Sequence, residues 1–341
     1  MASVTDFLVA TVDERLPIYC DQLVQHCVLL RWLKEKGRLK FGCGGDGFTF
    51  RVRKGQSSLV RAISDWSAGE AKTATVAQKI EGDYAAYGAE LMLSRLQLKR
   101  NEGADATGFV FNLFEESMNE LMQDFENYLA TDVAAGDGTA GSGDEATPAE
   151  GLVSIIDDNN THYGIVRSTD TWYKAKTQAV SNNFLDDDDA DGVVNGLASM
   201  RLLFLNTCLG SFQEKGVPKS VGSAKSKPDL VYSNLTSFNN FCLSMQPQQQ
   251  YTNGAKNDPG ADVAFFGVPY EWDGYAAADR IDMLNSKTFQ APVVGSQLIY
   301  RDNQHELGLE GSPRAKAIGL CSQFNLFNTR PSINGFASNT D

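Results

Sequence analysis

The segment Gly47–Glu81 constrains the fold most, because it has the periodicity of β-strands but too few apolar residues for a core of its own. Phe48–Lys54 (FTFRVRK) alternates apolar and charged residues, which is the pattern of a strand with one solvated face. Leu59–Ile63 and Lys72–Ile80 alternate in the same way, so we predict a long hairpin with its tip at Trp66–Gly69. A two-stranded ribbon is marginal alone in water, and its unpaired edges invite a partner. We therefore expect the ribbon to lie on a second copy of the chain.

The clearest helix signal lies between Thr107 and Asp132. Its apolar residues advance by three or four positions, which is typical of an amphipathic α-helix. The pattern ends in Gly136–Gly143, a Gly-, Ser- and Asp-rich tract that we predict to be a linker or surface loop. The apolar stripe consists of Phe111, Phe114, Met118, Leu121, Phe125 and Tyr128, and the acids beside it are Glu115, Glu116, Glu120, Asp124 and Glu126.

The remaining pattern mixes short helices and strands, so the predicted fold class is α+β. Tyr84–Leu98 fits either state, and we favour extended structure early in the segment and helix later. Predicted helices are one or two within Leu16–Leu39, one at Val193–Glu214 with Asp191 as its N-cap, and one at Leu235–Leu243. Predicted strands are Leu152–Ile156, Thr161–Val166, Pro228–Ser233, Val263–Val268 and Ala317–Phe327.

Composition excludes several functional classes. The 341-residue chain carries a formal net charge of −13, which disfavours a nonspecific grip on nucleic acid by the molecule as a whole. Its six cysteines form no CxxC pair, so we expect reduced thiols rather than a zinc site or a disulfide framework. No window approaches the ~20 apolar residues that span a bilayer, and the amino terminus does not resemble a signal peptide. These features predict a protein made in a reducing cytoplasm, without a membrane anchor.

Two sequence patterns resemble ligand sites, and neither is complete. The glycines of Gly42–Gly47 fit G-x-G-x-x-G, but a strand pattern follows where a dinucleotide site needs a helix N-terminus. Asp187, Asp189 and Asp191 occupy positions one, three and five of a calcium loop, but Ala198 stands where a bidentate Glu is required. We interpret the first as a turn and the second as an acidic loop before a helix, with a weak calcium site as the alternative.

No catalytic constellation is evident in the sequence. The only histidines are His26, His162 and His305, and none lies in a metal or nucleophile motif. We therefore predict a non-enzymatic chain without a cofactor.

A locally basic region stands out in this acidic chain. It fits either nucleic acid or an acidic neighbouring copy, and we favour the neighbour because the acidic helix supplies the counterpart. Complementary patches on one chain are what head-to-tail association requires. The basic residues are Arg31, Lys34, Lys36, Arg38, Lys40, Arg51, Arg53, Lys54 and Arg61.

The order of these parts, together with three short passages, resembles the major capsid proteins of tailed double-stranded DNA phages, which have the Hong Kong 97-type fold. Val263–Asp273 (VAFFGVPYEWD) followed by Asp282–Asn285 (DMLN) is similar to a passage of one branch of that family. Asp229–Asn234 (DLVYSN), before Phe238, is similar to the strand that precedes it.

The resemblance implies a non-enzymatic subunit that assembles as pentamers and hexamers into an icosahedral head around double-stranded DNA. It implies that copies of the chain associate with one another, and that scaffold, portal and decoration proteins are further partners. It also implies weak, nonspecific contact with DNA. Assembly would take place in the host cytoplasm, and the assembled protein would be part of the virion. The implied domains are an N-terminal arm (1–44), an E-loop (45–83), a P-domain (84–185) with a spine helix (107–132), an A-domain (186–302) and a return to the P-domain (303–341). The implied assembly interface comprises Phe48, Phe50, Arg51, Arg53, Lys54, Arg61, Trp66, Glu116, Glu120 and Asp124.

Other functions remain open at this point. A phage tail or baseplate protein would also be structural, and a hydrolase could draw its residues from distant parts of the chain. The lysine, asparagine and glutamate that cross-link subunits in one member of the family have no matching residues here. Lys54 and Lys72 are therefore interpreted as ordinary surface lysines.

Overall fold

The computed structural model combines helices with short mixed sheets. It describes residues 4–53, 77–94, 113–136, 138, 148–180, 196–209, 227–250, 263–278, 280–302 and 315–339. Predictions for Leu59–Ile63, the tip Trp66–Gly69 and the Asp187–Asp191 loop lie outside these ranges. No helix among the described residues is both long enough and apolar enough to cross a membrane.

The secondary-structure elements are numbered in chain order. The helices are α1 (Val4–His26), α2 (Val28–Glu35), α3 (Leu113–Ala135), α4 (Leu152–Ile155), α5 (Gly196–Leu209) and α6 (Leu235–Gln250). The first strands are β1 (Leu39–Cys43), β2 (Phe48–Arg53), β3 (Ala77–Gly82), β4 (Ala85–Ser94), β5 (Thr161–His162), β6 (Ile165–Val166), β7 (Lys176–Val180) and β8 (Leu230–Ser233). The later strands are β9 (Ala264–Phe265), β10 (Val268–Trp272), β11 (Arg280–Leu284), β12 (Phe289–Val294), β13 (Tyr300–Asp302), β14 (Ala315–Phe324), β15 (Phe327–Asn328) and β16 (Gly335–Asn339).

The chain divides into two compact units. The first unit contains Met1–Asp46, Tyr84–Glu150 and Ala291–Asn325, and the second contains Gly47–Asp83, Gly151–Gln290 and Leu326–Asp341. Both units are discontinuous in sequence, so each depends on contacts between distant parts of the chain. The domain boundaries implied by the capsid resemblance stay predictions.

The first unit is organised around strand β14. It pairs antiparallel with β4 from Ala315↔Ser94 to Phe324↔Ala85, and on its other side with β13 and the end of β12. Strand β1 joins as a parallel neighbour of β12. The extended start predicted for Tyr84–Leu98 is therefore confirmed for Ala85–Ser94.

The amino-terminal helices of the first unit confirm the prediction of two helices within Leu16–Leu39, although α1 begins earlier than expected. Cys27 separates α1 from α2, and α2 buries five of its eight residues. Gly37 follows α2 with φ +65°, a left-handed conformation that glycine adopts without steric cost. It therefore ends the helix.

Helix α3 confirms the long amphipathic helix, with residues 107–112 outside the described ranges, but Tyr128 of the predicted apolar stripe is 60% exposed. Its inner face buries Met118, Met122 and Phe125. Near its end, Asp132 accepts a hydrogen bond of 2.7 Å from the hydroxyl of Tyr87 on β4. The same hydroxyl accepts a 2.7 Å hydrogen bond from the backbone N–H of Ala149. One buried phenol thus joins β4, α3 and the backbone at Ala149.

The second unit contains a six-stranded mixed sheet in the order β7-β16-β11-β8-β10-β9. Strand β11 is antiparallel to both neighbours, whereas β10 is parallel to β8 and β16 is parallel to β7. The predicted β8–α6 unit is confirmed. Strand β16 was not predicted. The apolar core includes Met200, Leu203, Phe204, Cys208, Val231, Phe241, Phe265, Val268, Tyr270, Ile281, Met283 and Ala337.

Three strand predictions of the second unit need correction. Thr161–Val166 and Val263–Val268 were each predicted as one strand, but a turn divides the first into β5 and β6 and the second into β9 and the start of β10. The third is helical. Leu152–Ile156 was expected to be extended, but Leu152–Ile155 forms the helical turn α4. A short apolar run does not distinguish a buried strand from a buried helix, and here two arginines decide the outcome. Arg167 donates to the carbonyls of Ser154 (2.7 Å) and Ile155 (2.8 Å), and Arg280 donates to that of Ile156. The unpaired carbonyls at the end of the turn are thereby satisfied.

Candidate assembly surfaces

The base of the ribbon, β2 and β3, has one apolar face and one charged face. The strands are antiparallel, with Phe50 opposite Ile80 and Arg51 opposite Lys79. Phe48, Phe50, Val52 and Ile80 are buried, whereas Arg51 is exposed. The predicted alternation of Phe48–Lys54 is therefore confirmed through Val52.

The apolar face of this base lies on the chain itself, which corrects the expectation that it lies on a neighbouring copy. The ring of Phe327 stacks on two rings of the ribbon, with centroid distances of 4.2 Å to Phe50 and 5.1 Å to Phe48. Tyr163 meets the same two rings edge-on, at 5.8 Å for Phe48 and 5.7 Å for Phe50. Its hydroxyl donates a 3.1 Å hydrogen bond to the carbonyl of Leu326. Aromatic pairs contribute about 0.5–1.5 kcal/mol each beyond their burial, so this cluster supplies the core that the ribbon lacks.

The aromatic part of the implied interface must therefore be revised. Phe48 and Phe50 are 8% and 7% exposed, so their rings are occupied within the chain. Lys54, Arg61 and Trp66 lie outside the described residues, and their role stays a prediction.

The outer face of the ribbon base carries charged side chains. Arg51 has no ion-pair partner in the described part of the chain, and it faces Lys79 across the strands. Lys79 pairs with Glu81 at 2.7 Å. Arg53 lies opposite Ala77 at the end of the described strand. The face is thus available to an acidic partner at Arg51.

Helix α3 presents an acidic stripe on its solvent side. Glu116, Glu120 and Asp124 recur every four residues and are exposed. The helix sequence contains no Lys or Arg, so no basic side chain of the helix offsets the repulsion between these acids. Like charges four residues apart destabilise a helix by about 0.2–0.5 kcal/mol per pair. The only histidine that reaches an acid of α3 within the described residues is His26, whose Nδ1 lies 2.7 Å from Glu126. We refer to Glu116, Glu120 and Asp124 as the acidic stripe.

The basic residues of the first unit lie around α2 and β1. Lys36 and Lys40 are exposed, and Arg31 and Arg38 are half-buried. Lys34 pairs with Asp21 at 2.5 Å and is partly neutralised by it. Part of the predicted basic surface is therefore used locally, and part faces solvent.

Of the two ligand-like motifs, only the glycine motif Gly42–Gly47 lies within the described residues. Gly45 has positive φ in the turn between β1 and β2, Gly42 has positive φ near the end of β1, and a strand follows, in agreement with the interpretation of this motif as a turn. No cluster of three or more His, Cys, Asp or Glu suited to a metal occurs among the described residues. All six cysteines are free thiols, and burial raises the pKa of Cys208 to about 11, which suppresses its thiolate.

His162 is a core residue rather than a candidate acid–base group. It is fully buried, and its Nδ1 lies 3.1 Å from the hydroxyl of Tyr173, which donates in turn to the carbonyl of Asn328 at 2.9 Å. Burial, with a smaller contribution from the charge of Arg167, holds its pKa well below the usual value. The imidazole is therefore neutral at physiological pH.

Comparison with solved structures gives the fold over 89–90% of the chain. The structure is similar to the cyanophage A-1(L) capsid asymmetric unit, with a TM-score of 0.63, 11% sequence identity, and coverage of 89% of this chain and 90% of that one. It is also similar to the capsid of an empty GTA particle, with a TM-score of 0.56, 12% identity, and coverage of 90% and 89%. The chain has the Hong Kong 97-type capsid fold.

Further comparisons agree with that fold without adding a closer relative. The capsid of Myoviridae phage XM1 aligns with a TM-score of 0.52 and 11% identity over 87% of this chain and 86% of that one. No protein-family model matches the sequence, and no curated protein matches it significantly. The capsid fold is therefore retained here at sequence identities where similarity of sequence is hard to detect.

Proposed function

We propose that this chain is the major capsid subunit of a tailed phage, which assembles as pentamers and hexamers into an icosahedral head around double-stranded DNA. The observation that carries the proposal is a match to capsid subunits over about nine tenths of both chains, 89% and 90% for cyanophage A-1(L). Coverage on both sides supports a match of the overall arrangement rather than of one shared motif. Function lies in summed burial between copies rather than in an active site.

The ribbon gives this proposal a physical basis. Its base is fixed on Tyr163 and Phe327, so residues 54–76, which lie beyond that base in sequence, are proposed to reach a neighbouring copy. Arg51 and Arg53 on the base, and Lys54, Arg61 and Trp66 beyond it, are the ribbon residues proposed to contact that copy. Phe48 and Phe50 are assigned to the mounting of the ribbon instead.

Charge complementarity between copies is the second support. The acidic stripe lacks basic residues on its own helix, and an isolated subunit gains nothing from such an arrangement. We assign it to a basic surface of a neighbouring copy, because opposite potentials on one chain favour ordered, repeated association. The same acidic balance limits binding of packaged DNA to weak, nonspecific contacts.

The acidic stripe can be tested by neutralisation. In Glu116→Gln/Glu120→Gln/Asp124→Asn, the concentration needed for assembly is expected to rise by roughly threefold or more, because exposed ion pairs contribute about 0.2–1 kcal/mol each. The matched control removes three acids elsewhere. Its substitutions are Glu35→Gln, Asp46→Asn and Asp158→Asn.

Light scattering at 0.05 and 0.5 M salt measures the concentration needed for assembly and its dependence on salt. Salt should raise the threshold concentration of the wild type and of the control, and should affect the neutralised variant less, because it screens exposed charges. An unchanged threshold in the neutralised variant would contradict the assignment of the acidic stripe to an interface.

The size of the assembled protein tests the function as a whole. Mass photometry and sedimentation of the purified chain should give capsomers and megadalton shells, with copies of itself as the main partner. Scaffold, portal and decoration proteins are proposed as additional partners, and the virion as the location. Tubes or small rings would instead indicate a tail or baseplate protein, and a small closed oligomer would indicate an enzyme.

A further inference from the structure

We propose that Tyr163 is a positioning residue for assembly: with Phe48, Phe50 and Phe327 it forms a fixed mount that sets the direction in which the ribbon leaves the second unit. We call these four side chains the ring mount. The inference rests on the proposed function, because the direction of the ribbon matters only if a neighbouring copy receives it.

The backbone of Tyr163 indicates that its ring is needed at this point. Tyr163 and Gly164 form the turn between β5 and β6 with φ +45° and +78°, which are the signs of a type I′ turn. Asn, Asp or Gly is favoured at the first of these positions, and a tyrosine there is strained. Both ends of the side chain are used, the ring against Phe48 and Phe50 and the hydroxyl on the carbonyl of Leu326. The strain therefore accompanies a specific set of contacts to the ribbon.

The turn that carries Tyr163 is itself held in place. His162, beside it, is fully buried and lies 3.1 Å from the hydroxyl of Tyr173, which is bonded to the carbonyl of Asn328. Beyond β6, the buried Arg167 donates two hydrogen bonds to the carbonyls of α4. Polar contacts of this kind are directional, so the turn has one well-defined position. Tyr163 is thus a fixed point against which the ribbon packs.

On the side of the ribbon, the rings pack closely against the backbone of β3 at Gly82. A Cβ added to Gly82 would lie 2.7 Å from Cζ of Phe48 and 2.8 Å from Cε1 of Tyr163. The ring of Phe327 closes the other side at 4.2 Å from Phe50. The base is therefore oriented before a neighbour is met, which reduces the ordering that association requires.

Three variants separate the ring from the backbone. Tyr163→Asn removes the ring and keeps a residue that tolerates positive φ, whereas Tyr163→Phe removes only the hydrogen bond to Leu326. The matched control is Phe266→Asn, because Phe266 also has positive φ (49°) in a turn followed by glycine and lies outside the ring mount.

Hydrogen exchange of the unassembled protein reports on the mount directly. Amides of Phe48–Arg53 and Ala77–Gly82 should exchange roughly tenfold faster or more in Tyr163→Asn, since two aromatic pairs are lost. The increase should be smaller in Tyr163→Phe and absent in Phe266→Asn. Unchanged exchange in Tyr163→Asn would overturn the mount. If that variant does not fold, Phe50→Leu applies the same criterion by removing the stack on Phe327 while keeping an apolar side chain.

Electron microscopy of assembly reactions then tests the consequence. The wild type should give closed shells of uniform size, and Tyr163→Asn should give mixed sizes and open forms. If Tyr163→Asn loosens the ribbon but still gives uniform shells, the positioning role is refuted although the mount exists. If the wild type forms no shells, the proposed function is refuted. The hydrogen-exchange data then still test whether Tyr163 holds the base of the ribbon.

Discussion

Removal of the buried Arg280 should destabilise the second unit, because Asp282 would remain buried without its partner. Arg280 and Asp282 lie on β11 with side chains 9% and 5% exposed and an N–O distance of 2.9 Å. Arg280 also donates to the carbonyl of Ile156 and stacks over the ring of Phe336 at 4.1 Å. Arg280→Met keeps the apolar stacking but leaves Asp282 without its cation and the carbonyl without its donor.

The expected loss is large because the remaining carboxyl group is buried. Breaking a buried pair from one side costs about 3–5 kcal/mol, since an uncompensated charge stays behind. At about 2–4 °C per kcal/mol for a unit of this size, the melting temperature should fall by about 6–20 °C. Removing the charge as well, in Arg280→Met/Asp282→Asn, should recover at least about 1 kcal/mol, because a neutral amide is cheaper to bury.

The effect of Arg280→Met should also depend on pH. Burial already raises the pKa of Asp282, and Arg280 opposes that rise, so its removal raises the pKa further. An acid whose pKa is higher in the folded than in the unfolded protein loses stability as pH rises above the unfolded value of about 3.9. The destabilisation should therefore be smaller at pH 5 than at pH 7, and nearly independent of pH in the double variant.

Urea denaturation at these two pH values measures the free energies of unfolding. Arg201→Met serves as the control, since Arg201 is an exposed arginine of the same unit and its loss should cost within about 0.5 kcal/mol. A loss below about 1 kcal/mol for Arg280→Met, or a double variant no more stable than the single one, would refute the reasoning.

Two further predictions concern buried polar groups. His162 has a pKa well below that of an unfolded histidine, so the wild type should lose stability as pH falls below about 6.5, by up to about 1.4 kcal/mol per pH unit. His162→Asn, which keeps a polar atom near Tyr173, should reduce that slope in thermal melts at pH 5.5–7, and an unchanged slope would contradict the assignment. Tyr87→Phe removes the hydrogen bonds to Asp132 and Ala149, so it should cost about 1–3 kcal/mol in urea denaturation. A loss within error of zero would show that this phenol does not join the elements of the first unit.

Local periodicity was sufficient to predict the elements that carry the fold. The alternation of Phe48–Val52 and the helical spacing of α3 each require only neighbouring residues. Both are confirmed, except that Tyr128 of the predicted stripe is exposed. Leu152–Ile155 failed because the arginines that satisfy its carbonyls are distant in sequence, and buried arginines look like surface residues in a linear pattern. Strand β16 was missed for a related reason, since its short sequence GFASN has weak strand character outside the sheet.

The ring mount shows the same limit at the candidate site. The sequence correctly indicated that the ribbon needs an apolar support, but it could not say that Tyr163 and Phe327 of the same chain provide it. Thr161–Val166 was predicted as one strand, although Gly164 within it was a signal for the turn that the structure shows at Tyr163 and Gly164. Which surface a strained aromatic residue contacts is a property of tertiary packing, and no local pattern encodes it.

The measurement that most directly tests this account is a negative-stain image of the purified, concentrated protein. We predict closed shells of uniform diameter, built from five- and six-membered capsomers. A homogeneous field of small compact particles, unchanged by concentration or salt, would contradict the proposal that this capsid fold serves to build a shell.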